Sequence, residues 1–126
     1  MPYSAYTAAA LAFLLVALSI HISRLRLKHR LAFGDGGNKD LTMAMRAHGN
    51  SLEQSVIFVP LLYFIDMHAG VDGTVVLALG AGFVVARVVY CAALFMRILP
   101  VRQVAHVATM LLLIGAAGLI AWSSLG

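Results

Sequence analysis

The chain has 126 residues, of which 62% are hydrophobic and 11% charged, with a mean hydropathy of +0.94. Soluble domains run at roughly 45–50% apolar and about 25% charged, and a fold this small has too little interior to hide the excess; the class is integral membrane protein. The net charge of +4 and pI of about 9.7 do not point to nucleic acid, because the basic residues flank apolar runs instead of forming a patch with interleaved aromatics. Anionic lipid headgroups are their expected partner.

The apolar run Tyr6–Ile20 is followed by Arg24, Arg26, Lys28, His29 and Arg30. A cleaved signal peptide has its positive charges first, so this order predicts an uncleaved membrane helix over residues 4–28. Residues 33–40, rich in Gly, Asn and Asp, form a connecting loop. Asp40 is expected to cap a second helix over 41–67, kinked at Pro60. An acidic turn over 66–73 precedes a third helix over 74–96. A basic turn over 97–102 precedes a fourth over 102–122, with Trp122 as interfacial anchor. Each apolar run is near the roughly 20 residues that a bilayer core requires. Eight of the nine Lys/Arg lie in or near the turns after helices 1 and 3. The positive-inside rule then puts those turns in the cytoplasm and both termini outside.

The chemistry concentrates in Arg46-Ala47-His48-Gly49-Asn50-Ser51-Leu52-Glu53. At about 100° per residue, Arg46, Asn50 and Glu53 share one helical stripe. A polar stripe entering lipid is costly and should face protein or a water-filled cavity. Arg87 lies about as deep from the basic side as Glu53, and an unpaired charge there costs at least about 2.5–3.5 kcal/mol; a Glu53–Arg87 pair is expected. Helix 4 aligns Arg102, His106 and Thr109, and helix 3 adds Tyr90 beside Arg87. These residues converge on a cationic, hydrogen-bonding cavity beside lipid, suited to a small ligand with carboxylates. No metal site is expected. The lone Cys91 cannot form a thiolate cluster or an intramolecular disulfide, and it reads as a small packed hydrophobe. His48 and His106 are the candidates for haem, but His48 lies on another face of the helix from Glu53.

Arg46-Ala47-His48-Gly49-Asn50 with Glu53 and Pro60 resembles the second-helix signature of the MAPEG family, the membrane-associated proteins in eicosanoid and glutathione metabolism. The likeness extends to Gly34-Asp35-Gly36-Gly37 after a basic helix 1, to Ala86-Arg87-Val88-Val89-Tyr90, and to Arg102 opening helix 4. It is strongest to the short bacterial inner-membrane branch. The resemblance implies an all-α, left-handed, up-down four-helix bundle forming one domain over residues 1–126. It also implies a homotrimer with glutathione as co-substrate between subunits, near the cytoplasmic side. By position, Arg46, Asn50 and Glu53 would contact the tripeptide. Arg87 would support Glu53, with Tyr90 alongside, and a basic residue ending helix 1, Arg24 or Arg26, would contribute. Arg102 would stabilise the thiolate, assisted by His106. The implied function is a glutathione-dependent transferase or peroxidase acting on a lipophilic electrophile or lipid hydroperoxide. Two departures stand out: Gly49 replaces an arginine found in several members, and His106 replaces a tyrosine common in catalytic ones. The alternatives are a non-catalytic lipid-binding or scaffolding member, and a small transporter using Glu53 as a proton-coupled carboxylate.

Overall fold

A computed structural model describes residues 1–68 and 70–125; Ala69, within the expected acidic turn, lies outside the described residues. The described chain is all-helical, with α1 over Ser4–His29, α2 over Lys39–His68, α3 over Gly73–Met96 and α4 over Leu99–Leu125. At 1.5 Å per residue these helices run roughly 36–45 Å, enough to cross a hydrocarbon core of about 30 Å. Three of them, α1, α3 and α4, are both long and apolar enough to span a membrane. The longest, α2, carries the polar stripe, which lowers its hydropathy, and Pro60 sits inside it.

Two helix starts differ from the sequence expectation. Asn38, not Asp40, caps α2: its side-chain oxygen accepts from the Leu41 N–H at 2.9 Å. Asp40 lies inside the first turn, where a carboxylate favours the positive end of the helix dipole, and it pairs instead with Arg97 at 3.4 Å. α4 begins at Leu99 because Pro100 fits the first turn, where a missing N–H costs nothing, so Arg102 stands a turn inside the helix. Asp72 caps α3, accepting from the Thr74 N–H at 3.1 Å. Both basic turns close through an arginine in left-handed backbone, Arg30 at φ 54° and Arg97 at φ 58°. The next N–H in each case returns to the helix, Leu31 to the Arg26 carbonyl at 3.0 Å and Ile98 to that of Ala93 at 2.9 Å, which satisfies carbonyls otherwise orphaned at the helix end.

α1 packs on α2 and α3, α2 on α3 and α4, and α3 on α4; among the described residues α1 and α4 do not meet. The central pair α2 and α3 therefore separates the outer two helices. At the acidic-turn end Leu11, Phe58, Leu62, Ile65, Val76, Phe83 and Ala116 form the core, with the Phe58 and Phe83 rings stacked at 3.9 Å. The Ser4 N–H donates to the Asp66 carboxylate at 2.7 Å, fastening the start of α1 to the end of α2. Toward the basic end the core becomes smaller and more polar, through Leu18, Ala47, Tyr90, Cys91, Leu94 and Ala105. Phe13, Val16, Leu111, Ile114 and Trp122 are exposed on the outside, as lipid-facing side chains of a membrane bundle are.

Candidate functional site

α2, α3 and α4 meet at the basic end around an open cleft of about 510 Å³, lined by Asp35, Thr42, Met45, Arg46, Gly49, Asn50, Glu53, Tyr90 and Arg102. That size falls in the roughly 300–1,000 Å³ range of small-molecule sites. The stripe Arg46, Asn50, Glu53 thus reaches the cleft as the helical spacing predicts, with Arg46 and Glu53 both exposed to it. Asn50, Tyr90 and Arg102 are shared with an adjoining pocket of about 470 Å³ that includes Gln103, His106 and Val107. His106 lies in this second chamber, its ring 6.4 Å from that of Tyr90.

Arg87 is fully buried behind the cleft wall. Its partner is not Glu53. Nη2 donates to Asn50 Oδ1 at 2.5 Å and to Ser51 Oγ at 3.2 Å, and Nη1 donates to Thr109 Oγ1 at 3.3 Å. The guanidinium also lies over the Tyr90 ring, 4.4 Å from its centroid, a cation–π contact strengthened by desolvation. Asn50 and Ser51 accept from the guanidinium on the α2 side, Glu53 lines the cleft, and the expected pair does not form. The only ion pair among the described residues is Arg97–Asp40. The helix 4 stripe divides accordingly. Thr109 turns inward to Arg87, donating its own hydrogen to the Ala105 carbonyl at 2.9 Å, while Arg102 faces the cleft.

This network fixes the sign of the cleft wall. Because Asn50 Oδ1 accepts from Arg87, the amide presents its NH₂ donors on the other side. Tyr90 has no hydroxyl partner among the described residues and lines both chambers. With Arg46 and Arg102, the wall offers donors and positive charge, relieved by the carboxylates of Glu53 and Asp35. Cys91 does more than fill space: its sulfur lies 3.4 Å from Ser51 Oγ, extending the same network.

The loop after α1 borders the cleft at the basic end through Asp35. Arg26 Nη1 donates to the Gly34 carbonyl at 2.8 Å and the Leu31 carbonyl at 3.3 Å, while Nη2 lies 3.7 Å from Sδ of the cleft-lining Met45. Arg24 is exposed and makes none of these contacts, so Arg26 is the helix 1 cation held beside the cleft. Asp35 accepts from Thr42 Oγ1 at 2.7 Å and from the Gly37 N–H at 2.9 Å. The Thr42 hydroxyl, then the Gly37 N–H, hold its carboxyl below the ordinary carboxylate range. The charge is therefore complete at neutral pH, and the stabilisation it carries is present above the unfolded pKa of about 3.9 and withdrawn as pH falls through the lower folded value. Asp35, Thr42 and Met45 were not legible as cleft residues: Asp35 lies in the loop and Met45 beside the α2 stripe, while Thr42 continues the stripe one turn earlier but carries no charge to mark it. Gly34 and Gly37 at positive φ were the visible sign of a tightly turned loop.

The profile of the MAPEG family matches residues 4–122. The inner membrane protein YecN of Escherichia coli, in two strains, is 42% identical over 65 residues. That alignment spans 52% of this chain and 50% of the relative, so it covers about half the length of the curated relatives it matches. With four helices in the expected order and the α2 signature lining one cleft, the chain belongs to the MAPEG family.

Proposed function

We propose that the cleft binds glutathione and that the chain is a glutathione-dependent transferase or peroxidase of the bacterial inner membrane, working on a lipophilic electrophile or lipid hydroperoxide. The observation that carries this reading is the joint lining of one cleft by Arg46, Asn50, Glu53 and Arg102. Glutathione has two carboxylates and one ammonium. Arg46 and the Asn50 amide suit the carboxylates, Glu53 the ammonium, and Arg102 the sulfur. A free thiol has a pKa near 8.5, and an adjacent guanidinium favours the thiolate, the nucleophilic form. With an electrophile, sulfur bonds to the electrophilic carbon as the leaving group departs with its electron pair. With a hydroperoxide, sulfur takes one oxygen and releases the alcohol; a second glutathione then displaces water to give the disulfide. Tyr90 and His106 stand where a proton can be held near Arg102.

The positive-inside rule places the basic turns, and hence the cleft, on the cytoplasmic side, and the inner-membrane location of the YecN relatives agrees with that membrane. Assembly as a homotrimer would cover the exposed Arg46–Glu53 face with a second copy. A non-catalytic lipid-binding role is the second reading, favoured by His106 lying outside the Arg46 chamber.

The test is equilibrium binding of glutathione to the detergent-solubilised protein, following thiolate absorbance, for the native chain and Arg102→Ala. Saturable binding whose thiolate signal is lost in Arg102→Ala supports the enzyme reading. No binding at millimolar glutathione overturns it and leaves the lipid-binding role.

A further inference from the structure

On another face of the bundle, away from the glutathione cleft, α1, the start of α2 and the end of α3 enclose a crevice of about 500 Å³. It is lined by His21, Leu25, Asp40, Met43, Phe95 and Arg97. Its polar groups are graded with depth. Asp40 and Arg97 lie at the basic end of the bundle, 3.4 Å apart and mostly exposed, at 69% and 54%. Beneath them are the apolar walls of Leu25, Met43 and Phe95. His21 lies eight residues before the end of α1, roughly 12 Å farther in at 1.5 Å per residue. Its ring meets Phe95 edge-on at 5.4 Å, and its imidazole has no hydrogen-bond partner among the described residues. A charged mouth over an apolar shaft matches an amphiphile, not a soluble metabolite.

We propose that this crevice is a headgroup site for a phospholipid bearing a primary ammonium, with its phosphate on Arg97, its ammonium on Asp40 and its first acyl segment against Phe95 and Met43. The crevice offers one cation and one anion a few ångströms apart, which is complementary to a zwitterion of the same span. A glycerol headgroup would gain Arg97 but supply nothing positive for Asp40. A choline headgroup has a cation without an N–H to donate. Exchanging the existing pair for the lipid costs little, because exposed ion pairs contribute little by themselves. The Arg97 backbone is fixed at the crevice mouth, since its left-handed conformation closes α3 through N–H bonds to the Ala93 and Leu94 carbonyls. None of the crevice residues lines the glutathione cleft, so the inference stands apart from the function proposed above.

The experiment presents the full-length protein with an equimolar mixture of ethanolamine, glycerol and choline phospholipids of identical chains, and reads the lipid retained by native mass spectrometry. The native chain is expected to retain the ethanolamine lipid at least about threefold over the others. Asp40→Asn is expected to remove that preference, and Arg97→Gln to lower retention of all three. A second reading uses Trp122→Phe combined with Phe95→Trp, which puts the sole tryptophan in the crevice. Its fluorescence is expected to be quenched more by ethanolamine lipid with brominated chains than by the glycerol lipid. Equal retention of the three lipids, or a preference that survives Asp40→Asn, overturns the proposal. So does displacement of the lipid by free phosphoethanolamine, which would assign the crevice to a soluble zwitterion.

Discussion

Arg87 illustrates what a helical wheel can and cannot decide. Its depth and its need for partners were legible from spacing, as was the face of α2 that would meet it. The identity of the partner was not, because Asn50 and Glu53 share a stripe and differ by one turn. A buried guanidinium can be held by several neutral acceptors as well as by one carboxylate; here three neutral oxygens and an aromatic face hold the two terminal nitrogens, while Nε is buried without a partner among the described residues. Leaving Glu53 free keeps an anion available in the cleft. At Gly49, which lines the cleft, a Cβ built on the backbone meets nothing within 4 Å. Gly49→Arg is therefore expected to fit without displacing α3 or α4. An added guanidinium beside a carboxylate ligand contributes on the order of 1 kcal/mol, so titration should show glutathione affinity raised about five-fold. Unchanged affinity would mean that the ligand's carboxylates lie elsewhere.

Helix existence and order followed from apolar runs and turn residues, whereas two helix starts did not, because neighbouring residues competed for the same capping role. Asn38 and Asp40 both carry a capping side chain, and only the loop geometry, with Asp35 holding Gly37 and Thr42, selects Asn38. Small residues in an apolar helix, as in Gly80-Ala81-Gly82, allow a close helix approach without saying to which neighbour. Gly80 packs on Thr7 of α1: an added Cβ would fall inside van der Waals contact with Thr7 Oγ1 and 3.0 Å from Thr7 Cβ. Thr7 is itself buried and β-branched, so it has little freedom to move away. Gly80→Ala is expected to destabilise the α1–α3 contact by about 1–3 kcal/mol. Thr7→Ala should restore part of the loss in the double variant, because it removes the hydroxyl and leaves the tight Cβ contact. Thermal denaturation in one detergent for the four chains measures this coupling; strictly additive losses would show that the two positions do not press on each other.

At the scale of the molecule, the unresolved debt is the α2 face. Arg46 and Glu53 are exposed in the single chain, yet Glu53 lies on a helix that must cross lipid, where an unpaired charge costs at least about 2.5–3.5 kcal/mol. A second copy against this face, as in the proposed trimer, removes the charge from lipid and closes the cleft at once. The detergent-solubilised protein is then expected to have a mass about three times the 13.4 kDa of one chain, measured by light scattering with the detergent contribution subtracted. Glu53→Gln distinguishes assembly from ligand binding. If Glu53 serves the ligand's ammonium, the variant keeps the native mass and loses much of the stabilisation that saturating glutathione gives, about 2.7 kcal/mol at a hundredfold excess over Kd. If Glu53 instead holds subunits together, the variant dissociates before any ligand is added. A single-chain mass for the native protein would contradict the trimer and leave the cleft and its ligand as the only means of keeping Glu53 from lipid.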